Sequence, residues 1–253
     1  MSVMSSSARL ICQGSSEKFI TSLVDECLEH PAVRHPYLTR LSEGQYPDHR
    51  FAVSDYARQY GFYSTNFTKA LRLVRDRIRS GDERRVLDEN LLEEEGNPAS
   101  SRLADLPHRE LFSRFARQVG ANVKYDETSD VCLTVRIWTQ LFLEKCSAEP
   151  VEVGIGAIGL GTELVVPAIY PKLLQAVDRL EVAVPEEARM FFSLHVGADS
   201  EHGKVFSRIA EAHATTNESR EALRFGALSS LNLRQHFYDV MDARALAKND
   251  HFG

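Results

Sequence analysis

An all-α, single-domain helical bundle is the fold class this sequence predicts, and three observations carry it. Apolar residues recur at helical spacing through most of the 253 residues, while alternating β-branched runs are scarce. Only 14 glycines and 9 prolines punctuate the chain, too few for the tight turns of a sandwich or barrel. Hydrophobic residues make up 43% and charged residues 26%, which suits a globular protein and not a disordered one.

The polar, Ser-rich start has no apolar h-region, so residues 1–14 are expected as a disordered tail ahead of one domain spanning 15–253. The first helix is expected from about Ser16 to Glu29, stopping before Pro31. Pro36, Gly44 and Pro47 read as a linker. A long helix from about Asp48 to Arg79 carries Phe51, Tyr56, Tyr60, Phe67, Leu71, Val74 and Ile78. Gly81 breaks it, and Asp82 starts a helix to Glu95 that ends at Gly96-Asn97-Pro98. Pro107 opens a helix through Val119, with Gly120 as its stop. Segments at about Asp130–Cys146, Pro150–Leu180, Pro185–Thr215 and Glu218–Ala247 complete the chain. No uninterrupted run of about 18 apolar residues occurs, so no membrane span is expected.

A formal charge of −6 and a pI near 5.9 exclude an electrostatic footprint for nucleic acid or an anionic membrane. The basic stretch Lys69–Arg85, next to the acids Glu93–Glu95, reads as a solvated helix face with local ion pairs. Cys12, Cys27, Cys132 and Cys146 form no CxxC pair and read as reduced thiols of a cytoplasmic protein.

Gly154-Ile155-Gly156-Ala157-Ile158-Gly159 matches GxGxxG, but no strand precedes it and its flanks are helical, so a dinucleotide fold is excluded. On an α-helical wheel Gly156 and Gly159 fall within about 40° of Glu163. They read either as a close helix contact or as room for a substrate beside a carboxylate. Glu163 is the one charge in an otherwise uncharged run from Gly154 to Tyr170, and a buried charge wants a partner.

His195, Asp199 and His202, at i, i+4 and i+7, form one narrow stripe on a helix, continued by Phe191 and Phe206. Imidazoles and a carboxylate on an apolar face suit iron, manganese or zinc; the alternative is a structural His–Asp pair. Asn90-Leu91-Leu92-Glu93-Glu94-Glu95-Gly96 adds carboxylates at a helix end, and His108 opens the next helix.

In these stretches the sequence resembles the heme-oxygenase-like diiron oxidases and oxygenases, a group with a chlamydial member that associates with death domains. Its pattern is an Asn-Leu-x-Asp/Glu-Glu-Glu turn, a following histidine, a later Glu, then HxxxDxxH. The resemblance covers roughly residues 30–210 and implies a bundle of seven to eight helices. It also implies Glu94, His108, Glu163, His195, Asp199 and His202 as metal ligands. Phe67-Thr68-Lys69-Ala70-Leu71 stands where the family has Phe-Pro-Lys-x-Leu. Lys172 matches a lysine beside the metals of the chlamydial member, or is a surface lysine after Pro171. A tyrosine of that member has no clean counterpart: Leu38 falls there, with Tyr37 adjacent. The loop from Gly96 to His108 is longer than in the family, and no acid lies between Arg58 and Arg75 where some relatives add a ligand.

The resemblance implies two Fe(II) ions (iron–manganese suits the same ligands) and O2 as co-substrate. It implies oxidation of a small amino acid, amine or carboxylic acid, an external electron donor and a homodimer. Gly156 and Gly159 would give access beside Glu163. Three rival readings share the fold: a metal-independent enzyme like the thiamin-salvage or pyrroloquinoline-quinone proteins, a heme oxygenase using His30 or His35, and a helix-binding module with structural metal.

Overall fold

The computed structural model describes residues 6–121, 131–197 and 201–247. Among them there is no strand. The helices are α1 (Ser6–Glu29), α2 (Pro36–Glu43), α3 (His49–Ser64), α4 (Phe67–Arg75), α5 (Gly81–Glu95) and α6 (His108–Gln118). They continue as α7 (Leu133–Ser147), α8 (Val151–Ile155), a π-helical segment (Gly156–Glu163), α9 (Val166–Asp178), α10 (Glu186–Gly197), α11 (Glu201–His213) and α12 (Asn217–Ala247). The all-helical expectation holds, but several expected segments are cut into shorter ones, each for a local reason.

The segment expected over Asp48–Arg79 splits at Thr65-Asn66. Thr65 Oγ1 and Asn66 Nδ2 both donate to the Phe62 carbonyl, at 3.1 and 2.8 Å, and so compete with the helix ladder there. Pro36 opens α2 instead of a linker: His35 Nδ1 caps the Tyr37 N–H at 3.2 Å, and Gly44, at φ 68°, closes the helix. Helix α1 starts ten residues before the expected Ser16, at Ser6, and residues 1–5 lie outside the described residues. Once packing fixes Ser16–Glu29, with Ser16 Oγ on the Ala214 carbonyl at 2.7 Å, extending the helix costs little. The stripe expected over Pro185–Thr215 is described as two helices, with 198–200 between them outside the described residues.

The stretch Val151–Asp178 corrects the membrane reading in one respect. It is long and apolar enough to cross a bilayer, yet 83% of its apolar window is buried inside the protein. It is the central core element. Helix α12 packs along the π segment and α8, α2 packs on α9, and α10 packs on α6 and α9.

The glycines settle as helix contacts. A Cβ on Gly156 would overlap the Leu223 carbonyl, and one on Gly226 would overlap the Val153 carbonyl, so α12 and the α8–π stretch touch backbone to backbone. A Cβ on Gly159 would lie 2.6 Å from Phe206 Cβ. The space beside Gly156 and Gly159 is therefore filled by α12 and α11, and the substrate access expected there is overturned.

Ala ordinarily favours a helix over Gly by about 1 kcal/mol. At Gly226 the sign should invert, because the methyl has no space: Gly226→Ala should lose about 1–3 kcal/mol, a Tm drop of several degrees. Gly81→Ala is the control, since nothing lies within 4 Å of its Cβ position. Thermal unfolding of the two variants, with equal Tm values, would remove the backbone contact.

Candidate metal centre

Glu94 lies near the end of α5 and is buried. The chain then turns at Gly96 (φ 74°), so tightly that a Cβ there would sit 2.7 Å from the Asp105 carbonyl. Asn97 N–H donates back to that carbonyl at 2.8 Å, and Ser100 Oγ donates to Asp105 Oδ2 at 2.5 Å. This folded loop returns the chain to α5, and His108 at the start of α6 meets Glu94: Nδ1 to Oε1 is 2.9 Å. The added loop length is thus absorbed in a compact turn.

His195 comes from α10. Its Nδ1 donates to the Phe191 carbonyl at 2.6 Å, which leaves the lone pair on Nε2. Its ring lies 4.8 Å from that of His108, centroid to centroid, with Phe191 4.7 Å and Tyr170 5.3 Å away. Glu94, His108 and His195 each offer a ligand atom within 4.8 Å of the others, enough for one metal ion.

Glu163 ends the π segment and is buried. With Glu94 and His195 it lines a small cavity of about 30 Å³ walled by Tyr60, Tyr63, Phe67, Tyr170 and Phe191. With His108 and His195 it also lines a larger cavity of about 730 Å³ that runs out past Asn90, Glu93 and Arg102. The backbone bond from Leu164 N–H to the Gly159 carbonyl, at 2.9 Å, spans five residues. In this wider turn Gly156 meets α12 and Gly159 meets α11 while Glu163 faces the cavities, so the single face drawn on an α-helical wheel does not hold.

Three of the six expected ligands, Glu94, His108 and His195, thus cluster, and Glu163 lines the same cavities. Asp199 lies outside the described residues, and His202 falls in α11 with its side chain outside them. Lys172 is half-buried on α9 and lines neither cavity. His30 and His35 each have both ring nitrogens engaged, His30 with Asn232 and the Ala32 N–H, His35 with Asp239 and the Tyr37 N–H. Neither is set up as a heme ligand. Burial pushes the Cys27 and Cys146 thiols up to about 12, which makes both inert as nucleophiles.

The sequence reading missed the polar residues of the interior. Asn90 is buried one turn before Glu94, faces the larger cavity, and neither amide atom has a hydrogen-bond partner. The Tyr60 and Tyr170 hydroxyls bond each other at 2.9 Å. Arg234 on α12 is 1% exposed. A signal for it existed: it stands among Ala227, Leu231, Tyr238 and Met241 at core spacing on its helix.

Comparison with known proteins agrees with this architecture. The profile of a family described as iron-containing redox enzymes matches residues 54–235. A 4-aminobenzoate synthase from Chlamydia muridarum (strain MoPn / Nigg) is 20% identical over 212 residues, 83% of each chain. The crystal structure of a CADD-like protein from Nostoc punctiforme PCC 73102 superposes with TM-score 0.71 and 17% identity, covering 92% of this chain and 96% of that one. A domain with a heme oxygenase-like fold from Shewanella denitrificans OS217 gives TM-score 0.66 and 14% identity, covering 96% and 94%.

His108 is the group whose protonation opposes a metal. Burial lowers its pKa, but Glu94, backed by Glu163 and Glu93, raises it more, and the net shift is upward. A pKa raised on folding stabilises the metal-free protein below the ordinary imidazole range, and that contribution is lost as pH rises through the folded-state value. A metal needs the neutral ring, so its binding strengthens over the same interval. As pH rises from the ordinary imidazole range, the chelated protein should lose Tm relative to His108→Asn, while the Tm increment from added Zn(II) grows. An increment that shrinks with rising pH would take His108 out of the ligand set.

Proposed function

The chain belongs to the family of iron-containing redox enzymes and has the heme-oxygenase-like fold, and from that premise we propose that it is an O2-activating, non-heme dinuclear iron enzyme acting on a small amino acid, amine or carboxylic acid. The observation that carries this reading is the Glu94–His108–His195 cluster, its ligand atoms within 4.8 Å of one another in the protein interior. Glu163 faces the same two cavities. Two carboxylates and two imidazoles in one interior are a donor set that suits ferrous iron.

Glu94, His108, Glu163 and His195 would hold the iron, with Asp199 and His202 as the further ligands the sequence motif implies. Bound iron would supply the electrons for O2 reduction, with an external donor restoring them. The protein's own part is positioning. The bond from His195 Nδ1 to the Phe191 carbonyl fixes the ring and directs Nε2 inward. Phe67, Val166 and Phe191 wall the small cavity with apolar surface and keep bulk water from it. The paired Tyr60 and Tyr170 hydroxyls hold a proton between their oxygens beside His195. A substrate would arrive through the larger cavity and meet Asn90, whose amide can both donate and accept. The chlamydial relative makes 4-aminobenzoate, which bears an amine and a carboxylate, and that supports the same chemical class here.

Anaerobic loading with Fe(II) followed by mixing with O2 tests the reading. Two irons per chain and O2 uptake are expected, and Glu163→Ala should lower the iron content to about one and slow uptake strongly. Fewer than one iron per chain, or no uptake with amino acids and amines present, would favour a metal-independent enzyme or a helix-binding module.

A further inference from the structure

Helix α5 is rich in acids, and on the sides that face other helices they are answered. Asp88 accepts from Arg75 at 2.6 Å, Glu83 meets His213 at 3.2 Å, and Glu95 pairs with Arg72. Glu89 has no such partner among the described residues. It stands one turn before Glu93, and both side chains line the larger cavity, on the stretch of its wall that is open to solvent. Like charges at i and i+4 on a helix repel each other. Only one Lys or Arg lines this cavity, Arg102, and it is already paired with Asp105 at 3.8 Å. The outer wall of the cavity therefore carries an excess of negative charge.

A second observation at the same wall is independent of charge. Asn90, next to Glu89 in the chain and one turn before Glu93, is only 3% exposed and lines the cavity, and neither of its amide atoms has a hydrogen-bond partner. Beside these polar groups the wall is apolar. Val86 and Leu92 of α5 face Val205 of α11, and Leu92 stands 66% exposed at the rim. At about 730 Å³ the cavity has room for a small organic molecule. Its inner end is formed by His108, Glu163 and His195.

We propose that Glu89, Glu93 and Asn90 form an ammonium-binding site at the outer end of the larger cavity, which selects an alkylamine and holds its charged end away from the metal cluster. The inference rests on the reading of this cavity as the substrate site, and it narrows the substrate to a cationic amine. An ammonium has three N–H donors and no acceptor, and two carboxylates and an amide oxygen are acceptors to match it. The alkyl stem of such a molecule would lie along Val86, Leu92 and Val205 and remove apolar surface from water. A divalent cation could use the same oxygens, but it gains nothing from that apolar wall. A carboxylate is repelled by Glu89 and Glu93. With the ammonium held at α5, the far end of the molecule points down the cavity toward His108, Glu163 and His195.

Isothermal titration calorimetry of the full-length, chelated protein near neutral pH tests this, with pentylamine, 1-pentanol and pentanoate as probes of one chain length and three charges. Pentylammonium should bind saturably and about tenfold or more tighter than 1-pentanol, with pentanoate weaker still. Glu89→Gln should lose most of that preference. Asp88→Asn, which removes the neighbouring acid that pairs with Arg75 instead of lining the cavity, should keep it. Equal binding of pentylammonium and 1-pentanol by the wild-type protein would overturn the proposal, whatever the variants do. Equal losses in the two variants would also overturn it, by reducing the attraction to general surface charge. Mg(II) is the last arm: amine binding that survives an equal concentration of Mg(II) supports an ammonium site, and complete displacement would replace it with a divalent-cation site. No iron is present, so the result is separate from iron loading. Ammonium preference without iron uptake would sink the dinuclear reading alone, and iron uptake without ammonium preference would sink this site alone.

Discussion

Val153 and Leu223 offer their carbonyls where an ordinary side chain would stand, and Gly226 and Gly156 make that approach passable. The backbone contact between α12 and the α8–π stretch fixes much else. It sets the long last helix against the central core element along the π segment, where Gly161 also packs tightly, 2.7 Å from the Ala227 carbonyl in Cβ terms. Two turns further along α12 that placement carries Arg234 into the centre of the bundle. At the far end of the π segment the wider turn directs Glu163 away from α12 and toward α5, α6 and α10. One contact therefore assigns the cation to one side of the interior and the carboxylate to the other. The π geometry, rare in ordinary helices and frequent at functional sites, separates them.

Stability alone does not account for this interior. A desolvated cation–π contact contributes up to about 2 kcal/mol, while a buried ion costs several kcal/mol unless well-formed hydrogen bonds answer it. Arg234 has two such contacts and no hydrogen bond. Asn90, with both amide atoms unanswered, is another buried group whose desolvation goes uncompensated. By contrast, polar groups that only hold the fold together are fully used. Asp55 accepts from Arg244 at 2.7 and 2.9 Å, and His213 bridges Glu152 and Glu83 at 2.9 and 3.2 Å. Asn90 lines the larger cavity, whereas these answered groups tie helix to helix.

How far the sequence discloses this depends on whether a feature is local or tertiary. Helical periodicity suffices for the fold class, and residue chemistry picks out His195 and His108 as candidates, whereas Glu94 stands out from Glu93 and Glu95 only through the family resemblance. The split at Thr65-Asn66 turns on side chains that reach back to the Phe62 carbonyl, a choice the apolar pattern does not record. Helix α2 hides behind Pro36 and Gly44, read as linker residues although they are the start and stop of a short helix. The glycines were readable as a close contact or as a void, and only the partner helix decides. The wheel sets Gly156, Gly159 and Glu163 on one face because it assumes bonds spanning four residues, where the chain at Leu164 uses five. Arg234 was legible in principle, since an arginine at a core position of an apolar stripe is a conflict between levels, and such conflicts mark functional sites.

The metal side has its own logic of charge. Its three clustered residues come from α5, α6 and α10, so the cluster exists only in the folded bundle. There Glu94, Glu163 and Glu93 all act on His108 in the same direction, raising its pKa against the effect of burial. A proton on His108 is the smallest positive charge able to relieve the crowding of carboxylates. A divalent metal relieves it more fully, through several ligands at once, and must expel the proton to do so. Proton and metal are thus alternative answers to one electrostatic demand, which the fold creates by bringing acids from separate helices into an apolar interior. Metal binding energy at such a centre is folding energy as well, because the unfolded chain keeps these ligands apart.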